Sequence, residues 1–256
     1  MKCFYFQNNH NYGLFCDAVL SWDETDTKTG EIVSPVPMNI VAVLNSVKTA
    51  FEKYFGCEYM NNLRAYVLPC GESPTSFWQT NLIGLTARGR RWSRYSYQFA
   101  HELCHLTIAG DVIQSLRWFE ESICELASVF FMQEMANMWT ANPPYENWKD
   151  YAPSLSQYAN NEISKSFQIP NGVSFSQFFC DKSDFLSINP YERDINCLCA
   201  KNLLPIFSET PSLWQDIPAI SNLKQEVDFF SALSQWKEEA KAKDAIEKII
   251  NLFYPA

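Results

Sequence analysis

Tyr97-Gln98-Phe99-Ala100-His101-Glu102-Leu103-Cys104-His105-Leu106 holds two of the chain's three histidines, four residues apart, with a glutamate directly after the first. One helical residue turns about 100°, so residues four apart lie one above the other on one face. Two imidazoles so placed can share one metal ion. Glu102, outside the ligand pair, then stands where it can take a proton from metal-bound water. The motif predicts a metal site on a helix with Ser93 or Ser96 as its cap and Gly110 as its stop.

A catalytic zinc site uses three protein ligands and leaves one position to water. No histidine follows His105, so the third ligand is a carboxylate or the distant His10. The nearest acidic cluster is Glu120-Glu121-Ser122-Ile123-Cys124-Glu125. Glu121 and Glu125 share one helical face, while Glu120 points about 100° away. A ligand with a further carboxylate that orients a bound imidazole fits the Glu121/Glu125 pair. Acidic decoration of a helix's first turn, favoured by the dipole, is the alternative.

The surrounding chain of 256 residues, 47 % apolar, is long enough for one large domain or two closely packed ones. A formal charge of −9 argues against nucleic acid or an anionic membrane as partner. The N-terminus lacks an apolar h-region, and no run approaches the ~18 apolar residues of a membrane span, so a cytoplasmic protein is expected. Nine cysteines, an odd number in apolar contexts such as Cys16, Cys104, Cys124 and Cys180, suit reduced, buried, structural thiols. Cys197-Leu198-Cys199 lacks the spacing of a zinc knuckle.

In chain order, residues 2–7 and 13–22 read as a hairpin around Asn8 to Gly13, and Asp23 to Gly30 as a solvated loop. Ile40, Val43, Leu44, Val47, Phe51 and Phe55 recur at helical spacing over Met38 to Phe55, with Gly56 as a stop. Leu63–Leu68 and Trp78–Thr86 read as strands. The latter offers an edge near Leu82 to Ala87 for an extended peptide. Arg88 to Arg94 is read as a solvated basic loop, with contact to an acidic substrate or terminal carboxylate as the alternative. A long helix is expected over 116–141, and shorter ones near 147–165, 191–207, 222–240 and 242–253. Prolines 170, 190, 205, 211 and 218 separate or punctuate them.

His101-Glu-Leu-Cys-His105 followed by Trp118-Phe-Glu-Glu121-Ser-Ile-Cys-Glu125 resembles the gluzincin metallopeptidases. Within that group it is most similar to aminopeptidase N and the leukotriene hydrolases, whose second motif reads Trp-Leu-Asn-Glu-Gly-Phe-Ala. The resemblance implies one Zn2+ ion on His101, His105 and Glu121. Asn189-Pro190-Tyr191-Glu192-Arg193 is similar to the family's Pro-Tyr-Glu-Lys-Gly segment. That likeness implies Tyr191 as donor to the oxyanion, a role the site needs filled, with packing at a helix start as the alternative. Arg193 is a further candidate for substrate or oxyanion binding.

The implied fold is α+β and zincin-like (thermolysin-like): a small mixed β-sheet with the active-site helix, then an all-helical C-terminal half. Residues 1–110 and 111–256 would form one catalytic unit. The pattern departs from the family in a shorter gap between the motifs and in Glu120, Ser122 and Cys124 where the family has Asn, Gly and Ala. No Gly-Ala-Met-Glu-Asn-like strand precedes the helix, so aminopeptidase specificity does not carry over. The likeness spans roughly residues 93–207 at three short patches.

The expected activity is zinc-assisted hydrolysis of a peptide or protein substrate. Zinc would activate water, Glu102 would act as general base and Tyr191 as oxyanion donor. A cytosolic peptidase that cleaves a repressor, a zinc-holding module without turnover, and a metal-free interaction domain are the competing classes.

Overall fold

A computed structural model describes residues 22–57, 60, 65–223 and 225–254 in full, and residues 3–6 and 12–15 as backbone. β1 (Cys3–Phe6) and β2 (Tyr12–Phe15) pair antiparallel as the expected hairpin; residues 7–11 and 16–21 lie outside the described residues. The stretch read as a solvated loop forms a ribbon instead. β3 (Glu24–Thr25) pairs with β4 (Ile32–Val33) around a turn in which Asp26 Oδ1 accepts the Lys28 and Thr29 amides. That local carboxylate capture competes well with disorder.

β5 (Ala65–Pro69) joins β1 antiparallel. The strand expected over Trp78–Thr86 is divided: β6 (Thr75–Phe77), one 3₁₀ turn, then β7 (Leu82–Leu85). β7 runs parallel to β5 and antiparallel to β6, giving the mixed order β2-β1-β5-β7-β6. Leu82–Leu85 is therefore an interior strand rather than an edge, because β6 covers it.

The rest of the chain is helical. α1 (Pro37–Phe55) starts with Pro in its first turn, where no N–H is needed, and ends at Gly56 with φ +94°. α2 (Trp92–Ile108) carries the histidine motif, and α3 (Arg117–Ala141) the acidic cluster. α4 (Ala152–Ser164), α5 (Phe175–Ile188), α6 (Arg193–Glu209), α7 (Phe229–Glu239) and α8 (Lys243–Phe253) follow. α5 was not expected from its mixture of aromatics and serines; its local signal is Ser174, whose hydroxyl accepts the Gln177 amide as a cap. Pro205 lies inside α6 and Pro218 inside a 3₁₀ stretch, so neither separates elements. The protein is thus a mixed α+β chain, mostly helical, with a small sheet. Among the described residues, no helix is long and apolar enough to cross a membrane.

The chain divides into two compact units, residues 1–107 with 127–160 and residues 108–126 with 161–256. In the first, α1 packs on the distal part of α3. Phe51 stacks on Phe131 at 3.8 Å between centroids, Trp139 Nε1 donates to Ser46 Oγ, and Lys53 and Tyr54 both bind the Glu134 carboxylate. In the second, Trp118 is the hub of an aromatic core with Phe179, Phe229 and Phe253, their centroids 4.7–5.9 Å from its own.

Candidate metal centre

α2 is buried nearly all round, its polar Ser93, Ser96, Gln98, Glu102 and Thr107 included. Its only residues not fully buried are Arg94, His101 and His105. The helix therefore opens outward at the two imidazoles, whose centroids stand 5.0 Å apart with planes inclined at 63°. Glu102 lies beneath them at 5 % exposure. Burial pushes the Cys70 thiol up, Arg88 opposes, and the Glu102 charge adds to the rise.

The helix is fixed to the sheet by side chains the motif does not reveal. Gln98 Oε1 accepts the amides of Thr86 and Ala87 at 3.0 and 2.9 Å, and its Nε2 donates to Thr86 Oγ1. The residues just past β7 are thus engaged by the helix. Neither expected serine caps α2. Ser93 bonds the Tyr151 hydroxyl, and Ser96 donates back to the Trp92 carbonyl. At the other end Ala109, not Gly110, takes the left-handed turn at φ +49°. Gly110 is needed for space, since a Cβ there would come 3.0 Å from Ser221, whose hydroxyl caps the Ile108 carbonyl.

The arginine loop is less solvated than expected. Arg88 Nη2 donates to the Cys70 carbonyl at 2.6 Å, Arg94 Nη2 donates to Thr86 Oγ1, and Arg91 pairs with Glu24. These are contacts that hold the sheet, ribbon and helix together.

Ser128 Oγ of α3 donates to the Tyr97 carbonyl of α2 at 3.0 Å. One turn further along each helix come Cys124 and His101. The imidazole nitrogens of His101 and His105 and the Sγ of Cys124 lie within 4.8 Å of one another. Cys124, read from sequence as a structural thiol, is therefore a neighbour of the histidine pair. Nitrogen and sulfur donors in this number suit a tetrahedral zinc ion better than a hard oxygen-seeking cation. Zinc bonds of about 2.0–2.3 Å set donors roughly 3.5 Å apart, so donors within 4.8 Å of one another would close by up to roughly 1.3 Å to hold the ion. None of the seven described cysteines forms a disulfide, but Cys57 and Cys180 are exposed rather than buried. Burial pushes the thiols of Cys197 and Cys199 up to about 12, as expected for inert core cysteines.

Glu121, three residues before Cys124 on the same face of α3, is half-buried, as is Glu120; His10 lies outside the described residues. Glu125 is buried, and its Oε1 accepts from Arg193 Nε at 3.2 Å, while Arg193 Nη2 reaches Glu162 at the same distance. Arg193 thus ties the start of α6 to α3 and α4. Tyr191 is 77 % exposed, which removes core packing as its role. Its turn is held from below. Asn196 Nδ2 donates to the Pro190 carbonyl at 2.8 Å, and the Ser122 hydroxyl of α3 stands 3.3 Å from Asn196 Oδ1. The sequence reading assigns no role to Gln98, Ser122 or Asn196. Their one signal was polarity inside apolar helical runs. Comparison of the chain with protein-family models, with curated proteins and with solved structures returned no match.

Proposed function

We propose that the protein is a zinc-dependent metallopeptidase of gluzincin type and zincin-like (thermolysin-like) fold, acting on a peptide or protein substrate. The observation that carries this is the His101-Glu102-His105 arrangement, on a helix that opens outward only at its histidines and Arg94. Glu121 completes the ligand set. Helical geometry supports it: Glu121 lies three residues before Cys124, on the same face of α3. Glu121 is also half-exposed like the imidazoles, whereas Cys124 is fully buried behind them.

Bound there, zinc would lower the pKa of its water towards ~7 and polarise a scissile carbonyl. Glu102 takes the proton and passes it to the leaving amine. Its burial, at 5 % exposure, strengthens that role. Tyr191, on a turn rigidly held, donates to the oxyanion. The seven described cysteines form no disulfide, which suits a reducing compartment, the cytoplasm.

The test joins metal analysis to peptide cleavage. The purified protein should hold close to one equivalent of zinc and hydrolyse members of a peptide library. Glu102→Gln should lower the rate by about 10²–10⁴ with zinc retained. Hydrolysis indifferent to that substitution would sink the mechanism. A zinc-holding module without turnover is the second reading, and Cys124 is the observation that favours it. If Glu121 and Cys124 both bind, four protein ligands leave water no position. Full zinc occupancy with no cleavage of any peptide would select it.

A further inference from the structure

We propose that Asn196 is the positioning residue for Tyr191, holding its turn in register with the stretch of α3 that carries Glu121. The inference rests on the peptidase reading above and adds to it a residue that no motif contains. Asn196 is 2 % exposed inside an otherwise apolar stretch of α6, a costly place for an amide without a dedicated partner. Its partners lie on two other pieces of chain. Nδ2 donates to the carbonyl of Pro190, the residue before Tyr191, at 2.8 Å. Oδ1 is the longer of two acceptors for the hydroxyl of Ser122, the residue after Glu121: it lies 3.3 Å away, and the Trp118 carbonyl shares the same proton at 2.8 Å. One side chain thus spans the residue beside the proposed oxyanion donor and the residue beside the proposed metal ligand.

The remaining restraints act on the same turn and leave this one as the link of its middle to α3. Asn189 is closed onto α5 by its amide and Nδ2, both donating to the Phe185 carbonyl. The Glu192 carbonyl accepts the Ile195 and Asn196 amides as α6 begins. The Pro190 ring fixes φ between these anchors. Arg193, bound to Glu125, ties the far end of the turn to α3 three residues past Ser122. The turn so restrained leaves the Tyr191 side chain 77 % exposed. Removing the Asn196 amide frees the Pro190 carbonyl to rotate, and with it the peptide plane from which Tyr191 projects. A displacement of about 1 Å in such a donor is enough to cost a large share of its effect.

The experiment measures kcat and KM on the best peptide from the library for wild type, Tyr191→Phe, Asn196→Ala and the double variant, with zinc content and melting temperature alongside. Tyr191→Phe should lower kcat by about 10²–10³. Asn196→Ala should lower it roughly tenfold with KM within about twofold and zinc unchanged, and should add nothing in the Tyr191→Phe background. Ser122→Ala keeps the turn and the core volume nearly intact, and should give a smaller loss, about threefold, of the same kind. If Asn196→Ala does not fold, Ser122→Ala alone and in the Tyr191→Phe background reads the same coupling. Wild-type kcat in these variants, or an equal loss with and without the tyrosine hydroxyl, overturns the positioning role and leaves the peptidase reading standing. A wild-type protein that cleaves no peptide overturns both.

Discussion

Gln98 joins the sheet to the metal-motif helix, so its removal should cost the fold more than its place in the sequence suggests. Its Oε1 is the acceptor for two main-chain amides just past β7, one fully buried at Ala87 and one partly buried at Thr86. Gln98→Ala leaves both without that acceptor, in a site too enclosed for easy hydration. At about 1–3 kcal/mol for a buried orphan and about 1 kcal/mol for a half-exposed one, the loss is about 3 kcal/mol. For a chain of this size that is roughly 6–12 °C in melting temperature. Gln98→Glu keeps an acceptor for both amides and surrenders only the Nε2 donation to Thr86, whose hydroxyl can turn to donate instead. It should lose about half as much or less. The assay is urea unfolding followed by fluorescence, paired with hydrogen exchange at the Thr86 and Ala87 amides, which should speed up in Gln98→Ala alone. An unfolding free energy of Gln98→Ala within about 0.5 kcal/mol of wild type refutes the expected loss. So does Gln98→Glu proving the worse of the two.

Two further outcomes follow from the site and the first core. Cobalt-substituted protein should show no strong thiolate charge-transfer band, and Cys124→Ser should keep its metal, while Glu121→Gln should lose about 10²-fold or more in affinity; an intense band abolished by Cys124→Ser would make the cysteine the third ligand. At Glu134 burial pushes the carboxyl up, but the hydrogen bonds from Lys53 and Tyr54 outweigh it and hold the group below its ordinary 4.5. A depressed folded pKa gives stability that is complete above about 4.5 and lost as pH falls through the folded value. Glu134→Gln should therefore be less stable than wild type at neutral pH and lose less on acidification from about pH 5 to 3. Parallel acid losses in the two proteins would show that the carboxylate contributes nothing.

Much of the fold was legible because periodicity reports burial directly. Ile40, Val43, Leu44, Val47, Phe51 and Phe55 mark α1 from its start to its last residue. The long helix expected at 116–141 is α3 to within a residue. α5 escaped because Phe175, Phe178 and Phe179 favour strands as readily as helices in isolation, and only packing on Trp118 and Phe253 decides. The caps of α2 were misassigned for a related reason. Ser93 and Ser96 have good capping chemistry, but Tyr151 and the helix's own backbone claimed their hydroxyls. The edge foreseen at Leu82 failed because β6, too short to stand out in sequence, pairs outside it.

The sequence alone determined which side chains share a helical face. That is local geometry, set by the 3.6-residue turn, and it is why the pairing of His101 with His105 and of Glu121 with Glu125 needed no coordinates. Tertiary structure decided what those faces meet. It set Cys124 beside the histidines, gave Glu125 to Arg193, and left Tyr191 outside the core. It also placed Gln98 and Asn196, two amides unremarkable in the chain, at the joints of helix with sheet and turn with helix. Their partners lie 11 residues away in one case and 6 and 74 in the other. A hydrogen bond needs its two groups within about 3 Å, and chain spacing says nothing of that until the whole fold has closed.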